Sequence, residues 1–279
     1  MNTKIIAGST ADLCPDMESR VDTVPLTVHL GDKEYIDGVT IEHKTFYEKL
    51  VESDELPTTS QATPEAFIKE FQKIKEAGDS AVVITISSKL SGTYQSATIA
   101  SENFDNIYIV DSGSAAIGSG ILVERALQLA DEGMDAREIA EILNTEKEKI
   151  VIIALLDTLE YLKKGGRISK TVAFAGTVLN IKPVISVFGG EINLLGKARG
   201  SKAGNNLLVG EIEKSVGVDF EKPVLLGYTG LSDALLLKYI EDSRFLWEQG
   251  IKDIRYTAIG SVIGTHAGPG AIAAAFFKK

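Results

Sequence analysis

The sequence predicts an α/β fold of two domains, a first with a mostly parallel sheet flanked by helices and a second with antiparallel strands. In the first half of the chain, short β-branched runs alternate with longer amphipathic segments, which favours parallel strands joined by helices. After Gly165 and Gly166 the alternation changes, and two strand-like runs follow each other with only a glycine turn between them. We therefore predict domains at residues 1–160 and 161–279.

Four strands and four helices are predicted in the first half. The strands are short apolar runs bounded by polar or turn residues. The first helix has Thr63 as its N-cap and Pro64 at its first position, and Phe67, Phe71 and Ile74 follow at helical spacing. The strands are Lys4 to Ala7, Ala81 to Ile86, Ile107 to Val110 and Ile150 to Leu156, and the helices are Pro64 to Glu76, Thr93 to Glu102, Ala115 to Asp131 and Ala136 to Lys147.

The second half begins with a predicted hairpin whose turn is Phe188-Gly189-Gly190-Glu191. Helices and strands then alternate to the end of the chain. The tail from Ala271 to Phe277 is compatible with a strand or a short helix on periodicity alone. The predicted elements are strands Pro183 to Phe188 and Ile192 to Lys197, helix Lys202 to Ser215, strand Pro223 to Tyr228, helix Ser232 to Gln249 and strand Ile254 to Ile259.

Composition and charge exclude several classes of protein. The 279 residues are 44% hydrophobic and 24% charged, which is typical of a folded globular chain. Cys14 is the single cysteine, so neither an intramolecular disulfide nor a zinc knuckle is expected, and a reducing cytoplasm fits best. We expect no secretory signal and no membrane span, since no apolar run reaches about 18 residues. The net charge of −10 disfavours nucleic-acid binding.

One stretch of the chain is basic despite the acidic total. Between Glu160 and Lys202 there are eight basic and two acidic residues, a net charge of +6. Either this stretch is a solvated face, or it is a docking surface for an anionic group or an acidic partner. The basic residues are Lys163, Lys164, Arg167, Lys170, Lys182, Lys197, Arg199 and Lys202.

Three polar segments lie where a predicted strand or helix begins or ends, which is where α/β proteins bind ligands. They are residues 57–61, 87–93 and 264–270. In the second segment, the Ser91 hydroxyl and the Gly92 amide are placed to hold a carboxylate at a helix N-terminus. The alternative is that Ser91 only caps the helix.

Three further residues lie beside glycines. His266 belongs to a predicted glycine-rich loop, where close backbone approach favours a binding site, although a hydrogen-bonded structural histidine is the alternative. Arg167 and Arg199, taken alone, would be surface charges. We predict no metal and no cofactor, because the sequence lacks a phosphate loop, a dinucleotide motif and metal-ligand spacing.

Together these segments resemble the DegV family, the fatty-acid-binding subunits of bacterial fatty-acid kinase. The resemblance covers nearly the whole chain, and its strength comes from the order and spacing of several motifs. They are Ser9-Thr10-Ala11-Asp12-Leu13, Thr59-Ser60-Gln61, Ser87-Ser88, Ser91-Gly92-Thr93-Tyr94-Gln95-Ser96-Ala97, Gly165-Gly166-Arg167-Ile168, Ile181-Lys182-Pro183, Gly264-Thr265-His266 and Gly268-Pro269-Gly270.

The resemblance implies a long-chain fatty acid in a cleft between the two domains, with its carboxylate bonded by Thr59 and Ser91 near His266. Arg167 and Arg199 match positions that family members use in engaging the kinase or in phosphoryl transfer. A separate ATP-dependent subunit would convert the carboxyl group to an acyl phosphate. The chain alone is then expected to be a non-catalytic carrier with no stable insertion into membranes.

Two positions depart from the family pattern: Gly8 stands where an aspartate is frequent, and Ala62 where a proline is usual. The first puts in doubt any hydrogen bond of that aspartate, and the second any stiffening of the Thr59 loop.

Two other functions remain open. One is an acyl hydrolase or acyltransferase with Ser91 as nucleophile and His266 as base, although no G-x-S-x-G elbow is present. The other is a binding module for another apolar acid without a kinase partner.

Overall fold

A computed structural model of the chain describes residues 2–53, 55–168 and 180–279. The strands are β1 (Thr3–Gly8), β2 (Asp22–Val24), β3 (Thr27–Leu30), β4 (Lys33–Ile36), β5 (Thr58–Ser60), β6 (Ser80–Thr85), β7 (Ile107–Asp111), β8 (Ile150–Leu155), β9 (Ile181–Phe188), β10 (Glu191–Arg199), β11 (Leu225–Tyr228), β12 (Tyr256–Ala258) and β13 (Ile272–Phe277). The helices are α1 (His43–Glu52), α2 (Pro64–Ala77), α3 (Thr93–Ser101), α4 (Ala116–Asp131), α5 (Ala136–Glu146), α6 (Glu160–Lys164), α7 (Ser201–Glu213), α8 (Ala234–Asp242), α9 (Arg244–Trp247) and α10 (Ser261–Ala267).

The first sheet is parallel throughout, as predicted. Its strand order is β2-β1-β6-β7. Every residue of the central strand β6 is buried, because helices cover both faces. One face packs against α2 and α3, with Phe67 and Phe71 among the largest buried side chains. The other face packs against α4 and α5. This arrangement is the doubly wound half that the strand–helix alternation predicts.

The second sheet is mixed, in the order β10-β9-β8-β13-β11-β12. Its pairs are antiparallel except for β11 with β12, so the predicted antiparallel second half is confirmed. The hairpin turn is also confirmed: Phe188 pairs with Glu191, and Gly189 and Gly190 have φ angles of 60° and 82°. Strand β8 joins this second sheet although it precedes residue 160, and the domain division itself stays a prediction.

Helix α4 lies between the two sheets and is buried along most of its length. It packs against β1 and β6 on one side and against β8, β11 and β13 on the other. Its two glycines permit this close packing, because a Cβ at Gly118 would overlap Ser114 and one at Gly120 would overlap the carbonyl of Asp12. One continuous apolar core therefore joins both sheets, with Ile84 and Ala273 as members from either side.

A third, small sheet was not predicted. Its antiparallel order is β4-β3-β5, and it holds Thr59 opposite Val28. The ambiguous tail is a strand, β13, and its side chains are buried throughout. Its small side chains allow both faces of the strand to pack against covering layers.

Two predicted elements differ in detail. The single helix expected from Ser232 to Gln249 is two helices, α8 and α9, which meet at Ser243, where the backbone leaves helical geometry with φ −110° and ψ 13°. The glycine-rich loop expected around His266 is partly helical, since α10 extends through Ala267 before the turn at Gly268. The prediction of a loop at His266 was wrong for that reason.

Candidate functional site

A largely apolar cleft lies between the second sheet, α4, α10 and the loops of the first half, and we call it the central cleft. Its cavity volume is about 110 Å³, and the cleft is partly open to solvent. Its apolar lining residues are Leu26, Ile86, Leu90, Ala115, Ala116, Ile152, Ala154, Leu156, Leu162, Ile185, Val187, Ile192, Ile259, Val262, Ile263, Ala267, Ala271 and Ala273.

Small side chains on two neighbouring strands make room for the cleft. Ala154 on β8 pairs directly with Ala273 on β13, and both line the cleft. Ala115 and Ala116 line it from the start of α4. Ala116 has a positive φ of 52°, an uncommon backbone conformation for a residue with a Cβ. A larger side chain at these positions would occupy space that is now open.

The polar side chains predicted for the site lie together on the wall of this cleft. Thr59, Ser91, Arg167 and His266 all line it. Thr59, Arg167 and His266 also border a second opening together with Lys164. The structure thus brings together four chain segments that are distant in sequence. We call this group of four residues the head cluster.

Thr59 and His266 form the central hydrogen bond of the head cluster, with 2.9 Å between Thr59 Oγ1 and His266 Nε2. Thr59 is positioned by β5 in the small sheet, and His266 by α10, which packs against α1, α6, β3 and β5. Gly165 lies against the imidazole, where a Cβ would overlap the ring. Glycine is therefore required at that position for the ring to occupy its place.

The His266 imidazole is neutral at physiological pH. Burial, with a smaller contribution from the Arg167 guanidinium, lowers the pKa of His266 to about 4. Its Nδ1 atom is buried and has no hydrogen-bond partner among the described residues. With Nε2–H donating to Thr59, the threonine hydroxyl would be free to donate to a ligand.

Ser91 bonds the first residue of α3 and lines the central cleft, while its contact with a carboxylate stays a prediction. Its hydroxyl accepts from the Thr93 N–H at 3.3 Å and bonds the Thr93 hydroxyl at 2.9 Å, so it stabilises the start of α3. It also lines the central cleft. Gly92 follows as the N-cap of α3, and a Cβ there would overlap the Gln61 side-chain amide. Contact between the Gly92 amide and a ligand stays a prediction.

Arg167 connects two loops of the head cluster. Its Nε donates to the carbonyl of Leu90 at 3.2 Å, and one of its terminal nitrogens donates to the carbonyl of Gly165 at 2.7 Å. The first bond holds the residue next to Ser91, and the second holds the turn beneath the His266 ring. Arg167 is therefore part of the cleft wall, whereas the sequence alone predicted a surface charge.

Arg199 lies apart from the cleft lining. It is exposed at the end of β10, where it pairs with Ile181 at the start of β9. The neighbouring Lys182 forms an ion pair with Asp157, just after β8. Arg199 is thus at the same end of the second sheet as α6. Lys170, which contributes to the predicted basic stretch, is outside the described residues.

Gln61 is a site residue that the sequence reasoning did not single out. It lines the cleft, lies over Gly92, and donates from Nε2 to the Ser96 hydroxyl at 2.9 Å. Its place directly after Thr59 and Ser60 in a polar segment was the available signal. Thr229 also lines the cleft, with its hydroxyl committed to Gly268 and Ala271.

The two departures from the family pattern are both accommodated. A Cβ at Gly8 would meet the Thr10 hydroxyl at 3.6 Å, an ordinary contact, so the position has room for a Cβ. That hydroxyl is buried without a hydrogen-bond partner among the described residues. Ala62 is buried, and Thr63 next to it still caps α2.

Neither a metal site nor a membrane-spanning helix occurs in the described ranges. No cluster of three or more His, Cys, Asp or Glu side chains within residues 2–53, 55–168 and 180–279 is arranged to hold a metal ion. Over the same residues, no helix combines the length and apolar character needed to cross a bilayer.

Fold and site together define an α/β protein with two large sheets and a small one, and with an apolar cleft that has a neutral hydroxyl–imidazole group on its wall. The chain belongs to the DegV family, whose model, described as uncharacterised proteins, matches residues 2–279. A DegV domain-containing protein of Caldanaerobacter subterraneus subsp. tengcongensis is 35% identical over 286 residues, covering 99% of this chain and 98% of its own length.

Two solved structures of the same family are similar over the whole chain. A fatty-acid-binding DegV family protein from Thermus thermophilus is 30% identical with a TM-score of 0.88, and the match covers 100% of both chains. The Streptococcus pneumoniae fatty acid kinase B3 protein, solved with linoleic acid, is 25% identical with a TM-score of 0.87, again over 100% of both chains. The predicted family and fold are therefore confirmed.

Proposed function

We propose that this protein binds a long-chain fatty acid and presents its carboxyl group to a separate ATP-dependent kinase subunit in the cytoplasm. The observation that carries the proposal is the Thr59–His266 pair on the wall of an otherwise apolar cleft. The likeness to a fatty-acid-binding relative and to a fatty acid kinase B protein supports it. In this proposal the Thr59 and Ser91 hydroxyls bond the carboxylate, and the tail occupies the cleft.

The apolar wall accounts for retention of the tail. A fatty acid with about 14 buried methylenes gains roughly 11 kcal/mol of gross transfer free energy, before the costs of association are subtracted. The carboxylate would lose several kcal/mol of hydration if it were buried without partners. Hydroxyl donors on Thr59 and Ser91 offset that loss without forming a salt bridge.

Neutral donors also suit a carboxylate that must react. A direct ion pair would hold the carboxylate more strongly, but it would withdraw charge from the oxygen that attacks the γ-phosphoryl group of ATP. In the head cluster the imidazole is neutral, and two of the Arg167 N–H groups are committed to backbone carbonyls. The carboxylate oxygen would bond the γ-phosphorus of ATP as ADP leaves, and the acyl phosphate formed would still be held in the cleft by its tail.

Lys164, beside the head cluster, and Arg199, at the same end of the second sheet, form the proposed docking surface for the kinase. Lys164 is exposed beside the second opening that Thr59, Arg167 and His266 border. Arg199 is exposed at the same end of the second sheet. Such cations favour an anionic partner surface or the phosphoryl group itself.

A hydrolase is a weaker second candidate. Its base, His266, bonds Thr59 and not Ser91, and the Ser91 hydroxyl is bonded to Thr93. The His266 Nδ1 atom has no carboxylate partner among the described residues to orient it. Labelling of Ser91 by a fluorophosphonate would favour the hydrolase over the carrier.

Native mass spectrometry of the purified protein, followed by a kinase assay, tests the carrier function. We expect a bound species of fatty-acid mass, and ATP-dependent phosphorylation of that fatty acid when a bacterial fatty-acid kinase subunit is added. Arg199→Ala should retain the fatty acid but lower phosphorylation, while Arg244→Ala, an exposed arginine on α9, is the matched control. A protein that takes up no added fatty acid would contradict the proposal, and uptake without phosphorylation would favour a binding module without a kinase.

A further inference from the structure

The N-terminus of α10 is held by two buried carboxylates. The Gly260 N–H donates to Asp12 Oδ1 at 2.7 Å. The Ser261 N–H donates to Asp37 Oδ1 at 3.2 Å, and the Ser261 hydroxyl donates to the same oxygen. The first N–H groups of a helix have no partner within the helix, so these aspartates satisfy donors that would otherwise be buried without a hydrogen bond.

The two aspartates belong to elements that are distant from α10 in sequence. Asp12 follows β1 of the first sheet, and Asp37 follows β4 of the small sheet, with its own N–H bonded to the Leu26 carbonyl. Helix α10 itself connects β12 and β13 of the second sheet. The bonds therefore attach a helix of the second sheet to both sheets of the first half of the chain.

The other end of α10 is attached to the same small sheet. His266 is five residues after Ser261, about 7.5 Å along the helix axis. Its ring bonds Thr59 on β5, which is in one sheet with β4. Since a helix of seven residues has little stability of its own, its position relative to Thr59 depends on these two attachments together with its packing against α1, α6, β3 and β5.

The attachment is more costly than an ordinary helix cap. Asp12 and Asp37 are only 7% and 6% exposed, burial raises the pKa of both, and Asp12 Oδ2 has no hydrogen-bond partner among the described residues. By contrast, the single exposed carboxylate of Asp135 caps the longer helix α5. Burying two acids at a seven-residue helix costs folding free energy. Capping the helix would not require that burial.

We infer that Asp12 and Asp37 are positioning residues for the head cluster: they fix α10 and thereby hold the His266 ring against Thr59. The ligand readout of this inference rests on the proposed function. Loss of the Asp12 or the Asp37 side chain should let α10 shift. Thr59 would then no longer offer its hydroxyl to the carboxylate of the fatty acid. The part of the apolar wall on β8 and β13, at Ala154 and Ala273, should be affected much less.

The preference of the protein for a fatty acid over its methyl ester measures this positioning role separately from a general loss of stability. The affinities of dodecanoic acid and of its methyl ester are compared in wild type, Asp37→Ala, Asp37→Asn, Asp12→Ala and the control Asp135→Ala. We expect the preference for the acid to fall about tenfold in Asp37→Ala, the equivalent of one hydrogen bond. Asp37→Asn should restore it, because the amide oxygen can still accept from Ser261. Asp135→Ala should lose stability and keep the preference.

The ring ¹⁵N shifts of His266 in ligand-free protein provide a readout that does not need a fatty acid. They should change in Asp37→Ala and Asp12→Ala and stay the same in Asp135→Ala. Unchanged shifts together with unchanged discrimination in both variants would overturn the inference. If the wild type binds no fatty acid, the proposed function fails while these shifts still decide the positioning role. If Asp37→Ala does not fold, Asp12→Ala decides it.

Discussion

The head cluster and the alanine-rich wall of the central cleft are built in different ways. The head cluster takes its residues from β5, from the loop before α3, from the turn after α6 and from α10, and its side chains make specific hydrogen bonds. The wall at Ala154 and Ala273 belongs to the regular strands β8 and β13, which pair directly. One region depends on hydrogen-bond geometry between loops, and the other on the volume that small side chains leave open.

This difference separates affinity from orientation. The apolar wall should supply most of the binding free energy, in proportion to the tail length it buries. The head cluster should contribute less, but it decides which end of the ligand is fixed and how reactive its oxygen remains. Four substitutions test this division, and they are taken from the largest expected effect to the smallest.

His266→Gln should change the pH dependence of stability by up to about 3 kcal/mol. The native imidazole takes up its proton only near pH 4, whereas the unfolded one does so near 6.5. Stability from this group is thus present above 6.5 and is lost as the pH falls towards 4. The raised pKa values of Asp12 and Asp37 act in the opposite direction, but they are common to both proteins. Chemical denaturation between pH 4 and 6.5 measures the difference, and equal slopes would contradict a buried neutral imidazole.

Ala273→Leu should remove room for about three methylenes of the tail. The expected loss for a long-chain acid is about 2.5 kcal/mol, close to a hundredfold in affinity. Calorimetry over a series of chain lengths is the measurement, and the shortest acids are its internal control, since they do not reach the substituted position. An equal loss at every chain length would show that Ala273 does not limit the tail.

Thr59→Val should weaken binding of a fatty acid by about tenfold, since it removes one hydrogen bond to a charged group with little change in shape. Thr58→Val is the matched control, because Thr58 is exposed and its side chain points to the opposite face of β5. Equilibrium binding of one fatty acid to both variants is the measurement. Equal affinities would remove Thr59 from the head cluster's function.

Ser91→Ala should have the smallest effect, a few-fold loss of affinity, because part of the hydroxyl's bonding capacity is committed to Thr93. The same substitution also removes an acceptor at the start of α3, so thermal unfolding of the ligand-free protein is measured beside affinity. Ser88→Ala, on the exposed part of the same loop, is the control. A loss of affinity larger than that of Thr59→Val would place the main carboxylate contact at Ser91.

The sequence predicts the regular parts of the fold because their signals are local. The buried strand β6, the capped helix α2 and the glycine turn between β9 and β10 each follow from residues adjacent in the chain. The small sheet was missed because its strands are only three or four residues long, too short for an alternating pattern to be distinctive.

The site is less predictable because its geometry depends on contacts between distant residues. Thr59 and His266 are separated by 207 positions, and the N-terminus of α10 is satisfied by Asp12, 248 positions from Gly260. The N-cap of α10 is Gly260, which has no side chain to cap the helix, so a glycine-rich loop was the natural prediction. Sequence could propose the members of the head cluster, while only the fold shows which of them bond each other.

A crystal structure of the protein with hexadecanoic acid would test the central claim most directly. We predict that one carboxylate oxygen lies within hydrogen-bond distance of Thr59 Oγ1 and the other near Ser91 Oγ, with the tail along Ala154 and Ala273. A carboxylate paired with the Arg167 guanidinium instead, or a tail directed away from these alanines, would contradict the account.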